Sequence, residues 1–274
     1  MLTEKEKGVL ERLFAAESVS ELTVQQTEKI GGEANLSLKA VEWFALEKGI
    51  IPVRYKRNIG SIGIEGQKRL LESSVLVVGL GGLGGFLCEE LARVGVGQIF
   101  AVDSDVFDQT NLNRQLFCTE SNLGKAKAKE AKKRIKKVNS SVKFTTFACR
   151  FPEIPQKIWN DVGLVFDCLD NIKDRIILAE KCSQADIPLV HGAIAGWCGE
   201  VATVWPGSRL MKQIYKAETK GIEQNLGTPV FTAATAASIM AAEGVNILTA
   251  KAEQKENRIL YFDLKENIWQ TVIL

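Results

Sequence analysis

Histidine is almost absent: the 274 residues hold one, His191. Paired cysteines are missing altogether. Cys88, Cys118, Cys149, Cys168, Cys182 and Cys198 are scattered with no CxxC among them, which argues against zinc-binding spacing and a disulfide framework. They read as free thiols in the core. A dominant charge is missing too, since 35 Lys and Arg face 33 Asp and Glu for a formal net charge of +2. That balance argues against a general nucleic-acid or membrane-surface binder, so any basic site must be local. No uninterrupted apolar run reaches the roughly 18 residues of a membrane span. The start MLTEKEKGVLERL lacks the basic-then-apolar order of a secretory signal. The expectation from these absences is a cytoplasmic protein. What is present, 46% hydrophobic and 25% charged residues, suits one large domain with a full core and a small appendage.

Residues 1–53 carry helical periodicity in two stretches, Glu4–Ala16 and Ser37–Lys48, joined by a polar segment containing Gly31-Gly32. The outline is that of a helix–turn–helix. Six basic and nine acidic residues give this extension a net charge of −3, however, which repels phosphate and argues against DNA. From Ser74 the pattern becomes strands alternating with helices: VLVV (75–78), QIFAV (98–102), VKFTTF (142–147), GLVFDC (163–168) and PLVHG (188–192). Leu83, Leu87, Leu91 and Val94 place one apolar stripe of a helix against the sheet, whereas the basic outer face of KAKAKEAKKRIKKV reads as solvated. After Gly192 comes a strand, GEVATVW (199–205), and then a long loop at 206–230. An Ala-rich helix at 232–250 and an antiparallel hairpin of RILYFDL and NIWQTVIL close the chain. The expected class is α/β: a doubly wound, mostly parallel Rossmann-like sheet with C-terminal antiparallel strands over residues 54–274, and a small helical appendage over 1–53.

Gly79, Gly81, Gly82 and Gly84 form a GxGxxG between the first strand and its helix, where the backbone can approach a phosphate and helix N–H groups face negative charge. Asp103 ends the next strand, placed to accept hydrogen bonds from ribose hydroxyls. This alone does not separate NAD from ATP. Asn111-Leu-Asn113-Arg114-Gln115 and Gly124-Lys125-Ala-Lys127 come next, and an Arg and a Lys converging on the phosphate side favour a triphosphate over a hydride carrier. Either Lys125 or Lys127 can take that role. Asp167-Cys168-Leu169-Asp170-Asn171 ends the fourth strand; Asp170 is the candidate magnesium ligand and Asn171 the better cap for the next helix.

The RY-x-RN of Arg54–Asn58, GLGGLG of 79–84, D-x-D of Asp103–Asp105, NLNRQ of 111–115, GKAK of 124–127 and DCLDN of 167–171 resemble, in order and spacing, the ThiF/MoeB/HesA family of ubiquitin-activating-enzyme-like adenylyltransferases. HGAIAGWCGEV and GTPVFTAA resemble a subgroup with an N-terminal helical extension and no zinc pairs. The resemblance implies ATP and Mg²⁺. It sets Gly82 near the ATP phosphates, Asp103 at the ribose, and Asp105, Asn111, Arg114, Gln115, Lys127 and Asn171 around the nucleotide, with Asp170 holding the metal. It further implies a homodimer in which Arg57 reaches the neighbouring subunit's site.

The implied reaction joins an acyl carboxylate to the α-phosphate of ATP and releases pyrophosphate. A carboxylate is a nucleophile at neutral pH, so no general base is needed, which suits a chain with one histidine. In the sulfur-carrier branch the carboxylate is the C-terminal Gly-Gly of a ThiS/MoaD-like ubiquitin-like protein, and residues 206–230 match the family's crossover loop. That loop holds no cysteine here and no zinc pairs are present, which favours a reaction that stops at the adenylate. The extension is expected to contact the carrier or the dimer partner. Alternatives are carboxylate activation on tRNA, in the manner of threonylcarbamoyladenosine dehydratase, or on a small molecule, and a non-catalytic nucleotide-binding regulator. His191, ending the fifth strand, is expected to make structural hydrogen bonds or to contact substrate.

Overall fold

The structure is a computed structural model that describes residues 2–215, 226–249 and 258–273. The segment 216–225, the middle of the expected crossover loop at 206–230, lies outside the described residues.

Three helices, α1 (Glu4–Ala16), α2 (Val24–Ala34) and α3 (Leu38–Glu47), build the N-terminal extension where two were expected. The reason is that α2 runs through Gly31-Gly32. Thr23 closes a capping box with Gln26, and Thr27, Ile30 and Gly31 form the buried face of the helix. Gly31 sits where a Cβ would come 3.0 Å from Leu38 Cδ2 and 3.2 Å from the Leu36 carbonyl, so this glycine marks close packing and not a break. The three helices share a core of Leu10, Phe14, Leu22, Ile30, Val41 and Phe44.

The RY-x-RN motif ties this extension to the sheet domain. Arg54 pairs with the fully buried Glu42 of α3 at 3.2 Å and hydrogen-bonds Asn139. The buried Tyr55 hydroxyl donates to Glu42 at 3.2 Å and accepts from Asn139 at 3.0 Å. Helix α4 (Lys56–Glu72), not anticipated from the sequence, then carries the chain to the sheet.

The sheet has eight strands: β1 (Ser74–Val78), β2 (Gln98–Val102), β3 (Lys143–Phe147), β4 (Leu164–Asp167), β5 (Leu189–Ala195), β6 (Cys198–Val204), β7 (Arg258–Asp263) and β8 (Ile268–Ile273). Their order is β3-β2-β1-β4-β5-β6-β7-β8. The β3-to-β5 half is parallel, and β6, β7 and β8 add antiparallel neighbours. Strands buried on both faces read as continuous apolar runs, which is why VLVV and QIFAV were legible. One face is covered by α5 (Gly82–Val94) and α6 (Lys127–Val138), whose buried Leu87, Leu91, Ala131 and Ile135 meet Val75, Val77 and Ile99. The opposite face carries α7 (Lys157–Asp161), α8 (Ile172–Gln184) and α9 (Leu210–Ile214) over Leu76, Val78, Val165 and Leu189.

Helix α10 (Val230–Thr249) returns to the first face. It is long and apolar enough to cross a membrane by length and composition, which a count of uninterrupted apolar residues misses. In this fold it packs Ala233, Ala236, Ala237 and Met240 into the core against α5 and β5. Gly244 allows that approach, since a Cβ there would run into the Phe166 ring.

Candidate active site

Strand order reverses between β1 and β4, and ligands of open α/β sheets bind in the crevice that this reversal opens at the strand C-termini. Here the crevice is a cleft of about 560 Å³, within the range of roughly 300–1,000 Å³ usual for ligand sites. The turns after β1, β2, β3 and β4 supply most of its wall.

The four motif glycines divide by function. Gly79 has φ +98°, and a Cβ there would stand 2.5 Å from the Cys168 carbonyl oxygen. Gly84 is buried against the Gly79 carbonyl and does not line the cleft. Both are glycines because the chain packs on itself. Gly81 and Gly82 line the cleft, yet a Cβ at either would meet its nearest neighbour no closer than 3.5 Å. Packing alone does not demand glycine at these two positions, which border the open cleft at the N-terminus of α5.

Asp103 secures the glycine turn: its carboxylate accepts from the Leu80 N–H at 2.7 Å and from the Asp105 N–H at 2.8 Å, and it borders the cleft. Asp105 pairs with Lys127 at 3.0 Å. That lysine is 8% exposed and reaches the cleft, whereas Lys125 is exposed and donates to the Ser121 carbonyl, which settles which of the two faces the site. Arg114 lines the same wall and donates to the Thr110 carbonyl at 2.9 Å. Beside it Gln115 is buried, with Oε1 lacking any hydrogen-bond partner among the described residues. An unpaired buried carbonyl costs about 1–3 kcal/mol, so it marks a place for a donor from a ligand.

Across the cleft, Asp170 is exposed and makes no hydrogen bond or ion pair to the described residues. Asn171 caps α8 by accepting the Asp174 N–H at 2.8 Å, as its residue type predicts, and also lines the cleft.

Besides Gly84, two expected residues stand apart from this cleft. Asn111 is buried behind it, accepting the Asp108 N–H at 3.2 Å to close a 3-10 turn over Gln109–Asn111, so its role is to shape the loop that carries Arg114. Arg57 is exposed on α4 and does not line the cleft of its own chain. The cysteines are free, but only Cys88, Cys118 and Cys182 are buried. Cys149 and Cys168 are half-buried in the cleft wall, and burial with the neighbouring Asp167 pushes the Cys168 thiol well up.

Beneath the cleft lies a group of residues that the sequence did not reveal. His191 is fully buried, with Nδ1 2.8 Å from Asp167 Oδ2 and Nε2 3.1 Å from the Tyr215 hydroxyl. It makes structural hydrogen bonds, one of the two roles expected. Arg175 of α8, 8% exposed, donates to the Tyr215 hydroxyl and to the Leu169 carbonyl, each at 2.6 Å. Burial pulls the His191 imidazole down, but its bonds with Asp167 and Glu200 outweigh burial and raise it. A signal for Arg175 did exist: it shares the buried stripe of α8 with Leu178 and Cys182, an unusual place for an arginine.

A sequence model of the ThiF family matches residues 55–274. The chain is 32% identical over 226 residues to the SAMP-activating enzyme E1 of Haloferax volcanii, covering 80% of this chain and 84% of that one. It is 29% identical over 233 residues to the probable adenylyltransferase/sulfurtransferase MoeZ of Mycobacterium tuberculosis, covering 81% of this chain but 59% of MoeZ. The crystal structure of E. coli MccB with ATP superposes with a TM-score of 0.66 at 19% identity, covering 90% of this chain and 82% of that one, a likeness of fold. With its glycine turn, cleft and strand order all in place, the chain belongs to the ThiF family, and its enzyme class is that of the adenylyltransferases.

Proposed function

We propose that this protein uses ATP and Mg²⁺ to adenylylate the C-terminal Gly-Gly carboxylate of a small ubiquitin-like sulfur-carrier protein of the ThiS/MoaD type. The observation that carries the reading is the floor of Gly81 and Gly82, where an added Cβ would come no closer than 3.5 Å to the protein, with Arg114 and Lys127 on one wall and Asp170 on the other. The sulfur-carrier class is supported by the relationship to the archaeal SAMP-activating enzyme.

Each residue of the cleft has its own task. Gly81 and Gly82 let phosphates approach the N-terminus of α5, whose free N–H groups favour negative charge. Gln115 accepts from the nucleotide, and Asp103 takes ribose hydroxyls. Lys127 and Arg114 neutralise the triphosphate, with Lys127 exchanging its bond to Asp105 for one to phosphate. Asp170 would hold Mg²⁺, which supplies further neutralisation of phosphate charge. The carboxylate oxygen of the carrier attacks the α-phosphorus. The new C(O)–O–P bond forms as the bond to the bridging oxygen breaks, and its electron pair leaves with pyrophosphate. Aligning two anions and offsetting their repulsion is the whole catalytic demand, so no proton need move at the reacting atoms.

A macromolecular substrate suits the mouth of the cleft. Ile194 and Thr228 line it there, beside an exposed apolar group of Trp197, Leu226, Val230 and Phe231, with Trp197 and Phe231 in ring contact at 4.5 Å. Arg57, exposed and without a described partner, is assigned to the site of a second copy in a homodimer.

The test is ATP–pyrophosphate exchange by the purified protein with a carrier ending in Gly-Gly, with the same carrier lacking those two residues, and with tRNA. Stimulation by the intact carrier alone is expected. Equal exchange with the truncated carrier refutes the substrate. One observation favours a second reading, carboxylate activation on tRNA: Lys129, Lys132, Lys136 and Lys137 of α6 are exposed and free of described ion-pair partners. Stimulation by tRNA alone selects it.

A further inference from the structure

The turn Cys168–Leu169–Asp170 is held from both sides. The Leu169 N–H donates to Asp167 Oδ1 at 3.0 Å, and the Leu169 carbonyl accepts from Arg175 at 2.6 Å. Each holder is itself held, and both lines end on one atom. Asp167 Oδ2 binds His191 Nδ1 at 2.8 Å, His191 Nε2 meets the Tyr215 hydroxyl at 3.1 Å, and Arg175 donates to that hydroxyl at 2.6 Å. The hydroxyl also reaches Glu200 Oε1 at 3.4 Å. The His191 and Tyr215 rings meet edge-on at 5.8 Å, and the Arg175 guanidinium stands over the Tyr215 ring at 5.8 Å.

A phenol hydroxyl offers one proton and two acceptor sites. All three neighbours of Tyr215 are satisfied together only when Arg175 and a protonated Nε2 of His191 donate to it and its own proton goes to Glu200. His191 is then an imidazolium, and the buried frame closes electrically, with Arg175 and His191 against Asp167 and Glu200. With Asp167, Arg175 and His191 buried, an ionic frame of this kind is an expensive way to fill space, because apolar residues would pack as well without desolvating three charges. Its cost points to a geometric duty.

We infer that Tyr215 is a positioning residue: its hydroxyl joins Arg175 and His191 into one frame that fixes the turn presenting Asp170 to the cleft. Tyr215 belongs to neither β4 nor α8. It caps the short α9, which packs on α8 through Leu210 and Met211. The frame therefore makes the pose of Asp170 depend on whether α9 is seated, although Tyr215 does not line the cleft. This inference rests on the reading of Asp170 as the residue that holds Mg²⁺ beside ATP, and its test separates the two.

The single histidine makes the frame directly visible. In full-length wild-type protein, the ring nitrogens of His191 should show the NMR signature of an imidazolium at neutral pH and should shift when Mg·ATP is added. Tyr215→Phe keeps the ring and removes only the hydroxyl. It should melt within a few degrees of wild type while the Mg²⁺ concentration for half-maximal binding of a fluorescent ATP analogue rises about tenfold, with maximal turnover little changed. Arg175→Lys, which keeps the charge but cannot serve both acceptors in the same geometry, should raise that requirement at least as far. A neutral His191 ring in the wild type, a ring silent to Mg·ATP, or a Tyr215→Phe protein with the wild-type Mg²⁺ requirement overturns the frame. Asp170→Asn with an unchanged Mg²⁺ requirement instead refutes the metal reading, and the His191 response to nucleotide then decides the frame alone.

Discussion

Replacing two neighbouring glycines should separate folding from nucleotide binding. At Gly82 an added methyl would lie 3.5 Å from Ala233 Cβ and 3.6 Å from Arg114 Cγ, ordinary contact distances, and the residue begins α5. Gly82→Ala should therefore fold as well as wild type or better, by up to about 1 kcal/mol, because alanine gives up less backbone freedom than glycine in a helix. The same methyl faces the cleft floor. It should displace the phosphates and weaken ATP by about 10- to 100-fold, the equivalent of overpacking by about 1–3 kcal/mol. At Gly79 the sign reverses. Its φ of +98° and the 2.5 Å approach of the Cys168 carbonyl make Gly79→Ala strained, by about 2–5 kcal/mol when backbone and contact costs are combined. Calorimetric melting and equilibrium binding of an ATP analogue, run on both variants, give the contrast. A Gly82→Ala protein that binds ATP as wild type does would refute the assignment of this floor to phosphate, whatever its stability.

Lys127→Ala should raise the KM for ATP about tenfold or more with little change in stability, because its partner Asp105 is 63% exposed and can be hydrated when left alone; steady-state pyrophosphate release measures it. Glu89 accepts hydrogen bonds from Arg134 and Arg93, and the bond from Arg134, reinforced by that from Arg93, holds its carboxyl below the usual range against its own burial. A depressed carboxylate contributes stability above its unfolded pKa and loses it as pH falls through the folded one, so urea midpoints of wild type should drop below about pH 4.5 more than those of Glu89→Gln. Mixing inactive Arg57→Ala with inactive Asp170→Asn should restore about one quarter of wild-type exchange, since half the dimers formed at random are mixed and each carries one complete site; no recovery would place Arg57 outside the partner's site.

The legible parts of this protein were those whose reason is local. The glycine turn, the acid ending β2 and the Asp170 turn each follow a strand directly, so a short string of residues specified both the backbone and its neighbours. Helix α2 was missed because Gly31-Gly32 reads as a breaker, while its actual cause, the approach of Leu36 and Leu38, belongs to the next element. Asn111 was set beside the nucleotide with Arg114 through the resemblance of the NLNRQ motif; in the fold Asn111 closes the turn and Arg114 lines the cleft. The frame under the cleft was beyond sequence reasoning for a plainer reason. Asp167, Arg175, His191, Glu200 and Tyr215 come from β4, α8, β5, β6 and the end of α9, and only the sheet order brings them together. Of these, Asp167 drew notice only as the start of the DCLDN motif and His191 through its rarity and its place at a strand end, and neither signal names a partner.

Charge inside the cleft explains why one carboxylate, and not its neighbours, is left for a cation. Four acids border it, and three are engaged. Asp103 holds two backbone N–H groups, Asp105 holds Lys127, and Asp174 receives the Asn171 amide at 3.1 Å and Arg150 at 3.5 Å. Asp170 alone has no partner among the described residues. The engaged acids also keep the cations in check, since a lysine bound to Asp105 presents less positive charge to a passing anion than a bare one. On the proposed reading, a triphosphate, which offers more charge than one carboxylate, would displace Asp105 more readily than a monoanion would. Selectivity for a polyanion would then arise from acids placed beside the cations, and Asp170, the bordering carboxylate without a described partner, is where a divalent ion would meet the charge that the polyanion brings.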